Sequence, residues 1–305
     1  MSARIRVISV ATACLAMCAS ARAKDYEIRL HQPDKVGDVE RVKAQGSDKR
    51  QRTVTVEGDV VQKKASSVEA QMSAVVKTLA VDKNGKATRQ ELTVQALKGN
   101  VDNKPVPSLP AGSVISAART ADGKTSFQLK GGTLSPEAKK LLKVVATLSM
   151  GKSKSNDDVI FGTSERKKVG DQWTANNAQM AKDFSKTSLK FRGRDLTSKV
   201  KLAAARKVRG VPCLHIVGDI AASHAEMQLP KGAKVVRFTM KVQFDGDFPL
   251  DVSLPTLRKS MKMSIVIEME ASATDGRPAT RITVEMSKSK QRESTPLPGA
   301  PTGKE

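Results

Sequence analysis

The sequence predicts a mainly β protein: long antiparallel strands in a curved sheet or open half-barrel, built as two similar halves joined by one α-helix. Three observations carry this reading. Apolar residues alternate with polar ones through most of the chain, the period-2 pattern of half-buried strands. Lys35-Val36-Gly37-Asp38 returns as Lys168-Val169-Gly170-Asp171, just before the only tryptophan, Trp173, so each Val-Gly-Asp opens one half. Between them, only residues 134–150 show clear helical spacing.

Residues 1–23 read as an export signal. Arg4 and Arg6 supply a positive start, residues 7–17 an apolar run, and Ala21-Arg22-Ala23 a small-x-small cleavage site, with cleavage expected after Ala23. The apolar run is too short to cross a bilayer, and no later segment is apolar enough to be a transmembrane helix. Leu15-Ala16-Met17-Cys18 resembles a lipobox, with Met17 where a small residue is usual; lipoprotein anchoring at Cys18 is the alternative to soluble periplasmic or secreted export.

In residues 25–32, Tyr26, Ile28 and Leu30 alternate with polar residues and read as a strand. Gly37 allows a turn that residues with a Cβ resist. Residues 53–61 and 67–81 read as two further strands. The second carries Val68, Ala70, Met72, Ala74 and Val76 on one face. Leu79 and Val81 have the opposite parity, which predicts a β-bulge near Val75-Val76. Asp82-Lys83-Asn84-Gly85 and Asp122-Gly123 are hairpin turns, completing a first β-rich half over 24–133.

The helix, 134–150, opens with Ser135 as N-cap and Pro136 at its first position, and Gly151 ends it. Leu141, Leu142, Val145 and Leu148 form its apolar stripe. Residues 151–158 read as a polar loop. The second β-rich half, 159–286, holds seven of the nine aromatic residues. Val236, Phe238, Met240, Val242 and Phe244 alternate strictly in its clearest strand. The last hairpin pairs Met261, Met263, Ile265, Ile267 and Met269 with Ile282, Val284 and Met286, across Asp275-Gly276-Arg277-Pro278. Residues 287–305 are rich in Lys, Ser and Pro with almost nothing to bury, so they read as a disordered tail.

Charge narrows the partners. The chain has 53 basic and 31 acidic residues, net +22, which falls to +19 without the signal arginines Arg4, Arg6 and Arg22. That field attracts anionic surfaces and polymers. Nucleic-acid binders add stacking aromatics, and one Trp and one Tyr do not supply them. Lipid or an anionic envelope polymer is therefore the expected partner, and nucleic acid is not. Cys14 and Cys18 leave with the signal, so Cys213 has no internal disulfide partner and reads as a small buried hydrophobe.

The order of signal, Val-Gly-Asp, long meander, helix, and then Lys168-Val169-Gly170-Asp171-Gln172-Trp173 with more meander resembles uncharacterised exported bacterial β-rich proteins with a Val-Gly-Asp-x-Trp motif. More distantly it is similar to the lipoprotein-carrier group. The resemblance implies a curved antiparallel sheet forming an open half-barrel around lipid, with helices over the opening. It carries no catalytic residues across. This chain departs from that group in showing one clear helix and few aromatics.

Candidate chemistry is sparse. Cys213 and His215 share a strand face, as do His224 and Glu226, and His31 stands alone; no neighbouring ligands complete a metal site. Packing is the expected role of each, with no metal and no cofactor. Asp157 and Asp158 read as solvated. Gly37, Asp38, Gly170, Asp171 and Trp173 read as structural, the aspartates closing turns through backbone N–H groups and Trp173 anchoring the second core. Nucleophile motifs and phosphate loops are absent, which disfavours an enzyme. Met240, Met261, Met263, Met269 and Met286, with Phe238, fall on apolar strand faces and suit an adaptable lipid-binding surface. The reading is a non-enzymatic exported protein that binds an apolar or anionic ligand such as lipid. A structural or scaffolding envelope protein is the alternative, and a metal-dependent hydrolase around His215 and His224 comes third.

Overall fold

The computed structural model describes residues 24–146, 148, 155–184, 189–229, 232–271 and 278–297. Residues 1–23, read as an export signal and including Cys18, the end expected for the helix at Gly151, and Asp275 to Arg277 lie outside them. The fold is mainly β, as the alternation requires: one large antiparallel sheet of 12 strands, not closed into a barrel.

The first half contributes β1 (Val39–Val56), β2 (Asp59–Val81), β3 (Ala87–Val101), β4 (Lys104–Pro105), β5 (Ser113–Arg119) and β6 (Thr125–Leu129), followed by helix α1 (Pro136–Val145). The second half opens with α2 (Asp157–Phe161), β7 (Gln172–Trp173), α3 (Asn177–Phe184) and β8 (Leu189–Lys190). A 3-10 turn then leads into β9 (Leu196–Val208), β10 (Val211–Ala222), β11 (Glu226–Met227), β12 (Ala233–Pro249), β13 (Arg258–Ala271) and β14 (Thr280–Pro296). Across the sheet the order is β6-β5-β3-β2-β1-β14-β13-β12-β10-β9-β7, with β4 beside β3. The small β8–β11 pair stands apart.

Three sequence expectations change here. Residues 287–296, expected as the start of a disordered tail, are the second half of β14, paired to β1 throughout and to β13 as far as Glu293. They bury little, but backbone bonds to both neighbours hold them. On the polar face Gln45 donates to Gln291 at 2.9 Å and the Ser47 and Ser289 hydroxyls meet at 2.9 Å. Residues 53–61 do not form one strand: Glu57 and Gly58, at φ 51° and 97°, make the tight turn between β1 and β2. The register of β2 on β3 shifts at Ser73/Ala74 and around Thr78–Ala80–Val81, not at Val75-Val76. Val68 to Thr78 therefore keep one face toward the core.

The sheet carries two cores on one face. Over the first half, Val42, Ala74, Leu92, Val94 and Ile115 pack under α1, which buries Ala138, Leu141, Leu142 and Val145. Ser135 Oγ caps the helix by accepting from Ala138 N–H at 3.0 Å. The helix stops at Val145, and Leu148 leaves it to donate its N–H to Thr125 Oγ1 at 3.1 Å. Over the second half, Leu202, Ile216, Phe238, Met240 and Ile265 pack beneath α2 and α3, two helices that residues 155–184 did not announce.

Residues 25–32 also move. They make a single bridge, Tyr26 to Lys167, and not a full strand. Ile28 and Leu30 pack into the second core, though they precede the first half in sequence. Asp158 at the start of α2 accepts the Leu30 and His31 N–H groups at 2.5 and 3.1 Å. It is therefore a clasp for this segment, not the solvated loop residue expected.

Helix α1 comes close to the sheet because three small residues lie side by side beneath it: Gly46 on β1, Ala70 on β2 and Gly99 on β3. A Cβ at Gly99 would stand 2.0 Å from the Glu69 carbonyl oxygen and 2.8 Å from Leu141 Cδ2. Gly99→Val is expected to cost about 2–3 kcal/mol, the range of core overpacking. Urea denaturation checks this, and a change below about 0.5 kcal/mol would refute the close-packing account.

Candidate functional site

The two Val-Gly-Asp turns are built alike. In the first, Asp38 Oδ2 accepts from Lys35 N–H at 2.8 Å, and Gly37 N–H donates to the Thr78 carbonyl at 2.9 Å. In the second, Asp171 Oδ2 accepts from Lys168 N–H at 2.8 Å, and Gly170 N–H donates to the Leu202 carbonyl at 2.8 Å. Gly37 and Gly170 sit at φ 94° and 100°, where a Cβ is costly. Each turn thus clips the entry of its half to a long strand, β2 or β9. Trp173 follows, half-buried against the second core, with its indole N–H donated to the Phe161 carbonyl at 2.8 Å. The bonds described at each turn go to residues of its own half.

The histidines separate. His224 and Glu226 are exposed. His31 Nε2 lies 2.9 Å from the Asn84 carbonyl in a loop contact. His215 stands opposite Asp247 on paired strands, its Nδ1 3.1 Å from Asp247 Oδ1. Asp247 is 1 % exposed and is held on both oxygens by Arg206, through Nε and Nη2 at 2.9 Å each. Arg258 Nε adds an ion pair at 3.2 Å whose geometry makes no hydrogen bond.

A histidine–carboxylate pair is also what a general base would need, yet the surroundings do not extend it. Cys213, on the same face, is buried, and burial followed by the Asp247 charge pushes its thiol up, the opposite of an activated nucleophile. Its Sγ turns back to the Val211 carbonyl at 3.4 Å. Among the described residues no three His, Cys, Asp or Glu side chains come together to hold a metal. The cluster reads as a buried carboxylate neutralised by guanidinium groups at the end of the second half. Sequence spacing missed it because its members lie on β9, β10, β12 and β13.

The methionines also divide. Phe238 and Met240, 3 % and 1 % exposed, fill the second core and present no ligand surface. Met263, Met269 and Met286 are half-buried against that core. Met261 alone is well exposed, at 39 %, and lines the space between the two cores. The candidate surface therefore shifts from the methionine face of the second half to the boundary between the halves.

That boundary is a groove of about 790 Å³ on the core face of the sheet. One wall carries Val144 on α1 and Leu148 just after it, Val68 and Val101 on β2 and β3, and the α1 lysines Lys140 and Lys143. The other is Met261 and the basic ends of β13 and β14. Most of its exposed lining is carbon, including the lysine stems. Seven cationic side chains line it against two carboxylates, Asp48 and Asp102. Burial pushes the Asp48 carboxyl up, but Arg50 and Lys288 outweigh it and hold the group below its ordinary value. Lys259 is paired with Asp157 at 2.7 Å, and Arg292 with Glu40. Burial, then Arg292 and Lys259, push the Lys290 amine down to about 8.

A second depression, of about 700 Å³, occupies the opposite face of the sheet, but its walls are polar: Gln45, Glu69, Gln71, Lys98, Lys262 and Gln291. The core-face groove is the better binding site because it joins apolar area to convergent charge. Among the described residues no helix is long and apolar enough to cross a membrane.

No family model and no curated protein matches the chain. Of the solved structures, OpdQ of Pseudomonas aeruginosa overlaps 85% of this chain and 98% of its own, at 8% identity and a TM-score of 0.19. DynF, from the dynemicin biosynthesis pathway of Micromonospora chersina, overlaps 92% and 88% at 9% identity and 0.16. The outer membrane protease OmpT of Escherichia coli overlaps 85% and 95% at 9% identity and 0.13. At these scores the overlaps identify no shared fold and carry no argument about function.

Two outcomes are expected. Asp247→Ala leaves two guanidinium groups beside an empty buried position and is expected to cost about 2–3 kcal/mol in urea denaturation, less than a fully buried pair because Arg206 reaches solvent. For Lys290, whose ordinary value is 10.5, the unfolded chain binds more protons between about pH 8 and that value. Stability attributable to this group therefore rises with pH across the window. Lys290→Met is expected to stabilise the protein at pH 7 and to remove that rise, measured as urea midpoints from pH 7 to 10.

Proposed function

We propose that this is a non-enzymatic, exported envelope protein that binds an amphiphile with an anionic head in the groove between its halves. The observation that carries the reading is the groove itself: a volume within the range of small-molecule sites, largely apolar, with a basic wall at one side. An acyl chain would lie against Val144, Leu148, Val68 and Val101, and its head would face the cations of β13 and β14. The export signal read in residues 1–23 and the strongly basic composition support an encounter with anionic envelope lipid.

Scaffolding by edge pairing is the second reading, favoured by residues 59–66 of β2. These pair only with β1 among the described residues and expose Val60 and Val61.

Native mass spectrometry of the full exported chain, purified in a mild detergent, tests the groove. A co-purified or added single-chain amphiphile is expected to stay bound at one equivalent. Met261→Asp, at an exposed wall position, is expected to weaken that binding roughly ten-fold, about 1.4 kcal/mol, with the urea midpoint unchanged. Absence of saturable binding in the unmodified protein would end this reading and leave the edge.

A further inference from the structure

We propose that the polar face of the sheet is a second binding site, a furrow that holds an extended acidic polysaccharide across the strands. The depression of about 700 Å³ on that face is its middle part. It shares Gln45, Gln71, Lys98 and Gln291 with a neighbour of about 440 Å³ over β1, β2 and β3. It shares Lys262 and Ser289 with another of about 430 Å³ over β9, β10, β12 and β13. The register explains the continuity. A row of facing residues crosses the sheet from Asn100 on β3, through Ser47 and Ser289 at the centre, to Lys262 on β13 and Lys199 on β9. The row crosses eight strands. At about 4.8 Å per strand spacing it runs roughly 34 Å along the sheet, a length that suits a polymer segment and not a small molecule.

Charge decides what the polymer carries. Five lysines line the furrow from exposed positions: Lys43 and Lys98 over the first half, Lys199, Lys241 and Lys262 over the second. Among the described residues none of these five is in an ion pair. Three of the four carboxylates beside them are taken by other cations: Glu69 by Lys49 at 2.7 Å, Asp245 by Arg258 at 2.9 Å and Glu293 by Arg209 at 3.0 Å. The fourth, Asp219, accepts from the Gln243 amide at 2.9 Å. The furrow is therefore positive toward both ends and attracts a polyanion.

Its centre is neutral and hydrogen-bonding. Gln45 donates to Gln291, and the Ser47 and Ser289 hydroxyls share one bond, which leaves each of the four side chains with further donor or acceptor capacity. Groups that both donate and accept match sugar hydroxyls, and the flanking lysines match the carboxylates of uronate units. Among the described residues no aromatic side chain lines any of the three depressions, so nucleobases find nothing to stack on. A polysaccharide held by charge and hydrogen bonds needs no such platform.

The test is fluorescence anisotropy with the full chain at pH 7 and fixed ionic strength. The labelled probes are polygalacturonate, dextran as an uncharged glycan, and oligodeoxythymidylate as a polyanion with bases. Polygalacturonate is expected to bind saturably and at least about ten-fold more tightly than either of the others. Lys98→Gln with Lys262→Gln is expected to weaken that binding about ten-fold. Lys83→Gln with Lys139→Gln removes the same charge from the β2–β3 turn and from α1, and is expected to change it less than about two-fold. All four lysines are exposed, so both variants are expected to keep the urea midpoint of the unmodified protein. Equal losses in the two variants would reduce the effect to net charge and overturn the site. Oligodeoxythymidylate binding as tightly as polygalacturonate would overturn the glycan assignment in favour of nucleic acid. Equal binding of dextran would remove the role given to the lysines. Absence of saturable polygalacturonate binding would end the proposal, and each of these failures leaves the amphiphile groove on the other face standing.

Discussion

Everything in this fold depends on where β14 sits. It is the one strand that joins the two halves in the sheet, bonded to β1 along one edge and to β13 along the other. Without it β1 and β13 would each expose a long row of unpaired backbone groups, which proteins avoid by covering or pairing. The helix links the halves along the chain, but the strand makes them one body. The N-terminal segment works to the same end. Ile28 and Leu30 enter the second core, and His31 and Asp34 bond to the Asn84 and Gly85 carbonyls in the first half.

The groove follows from the composition of that strand. Val284 and Met286 pack against the second core; further along the same face come Lys288, Lys290 and Arg292. Cations cannot be buried in a dry core without partners, so the two apolar clusters stop short of each other and a basic trough separates them. Helix α1 borders it because Gly46, Ala70 and Gly99 let the helix lie close to β1, β2 and β3. One set of small residues and one set of charged residues therefore fix the two walls.

Much of the fold was legible because alternation, turn residues and caps act locally. The strand faces from Val68 to Val76, the turn at Asp82 to Gly85, the Ser135 cap and the paired Val-Gly-Asp turns all follow from neighbouring residues. What was not legible depends on pairing across the chain. Residues 287–296 lack apolar residues and look like a tail until β1 and β13 flank them. Asp157 and Asp158 look solvated until Lys259 and the Leu30 N–H group reach them from distant segments. The site shows the same division. Methionine faces marked a surface, but Phe238 and Met240 belong to the core. Only Met261 reaches the groove, whose other walls come from α1 and from strands far away in sequence.

The position of β14 also sets an order of assembly. Glu40 and Arg292 are 252 residues apart yet form one ion pair across β1 and β14. Contacts of such separation pay their loop entropy late and make folding slow. The first half alone would hold β1 as an open edge until β14 has been made and delivered. A chain whose closing strand comes that late keeps β1 open for longer, and its two cores become one body only when nearly all of the described strands exist. The strand that completes the groove is thus also the one whose arrival closes the sheet.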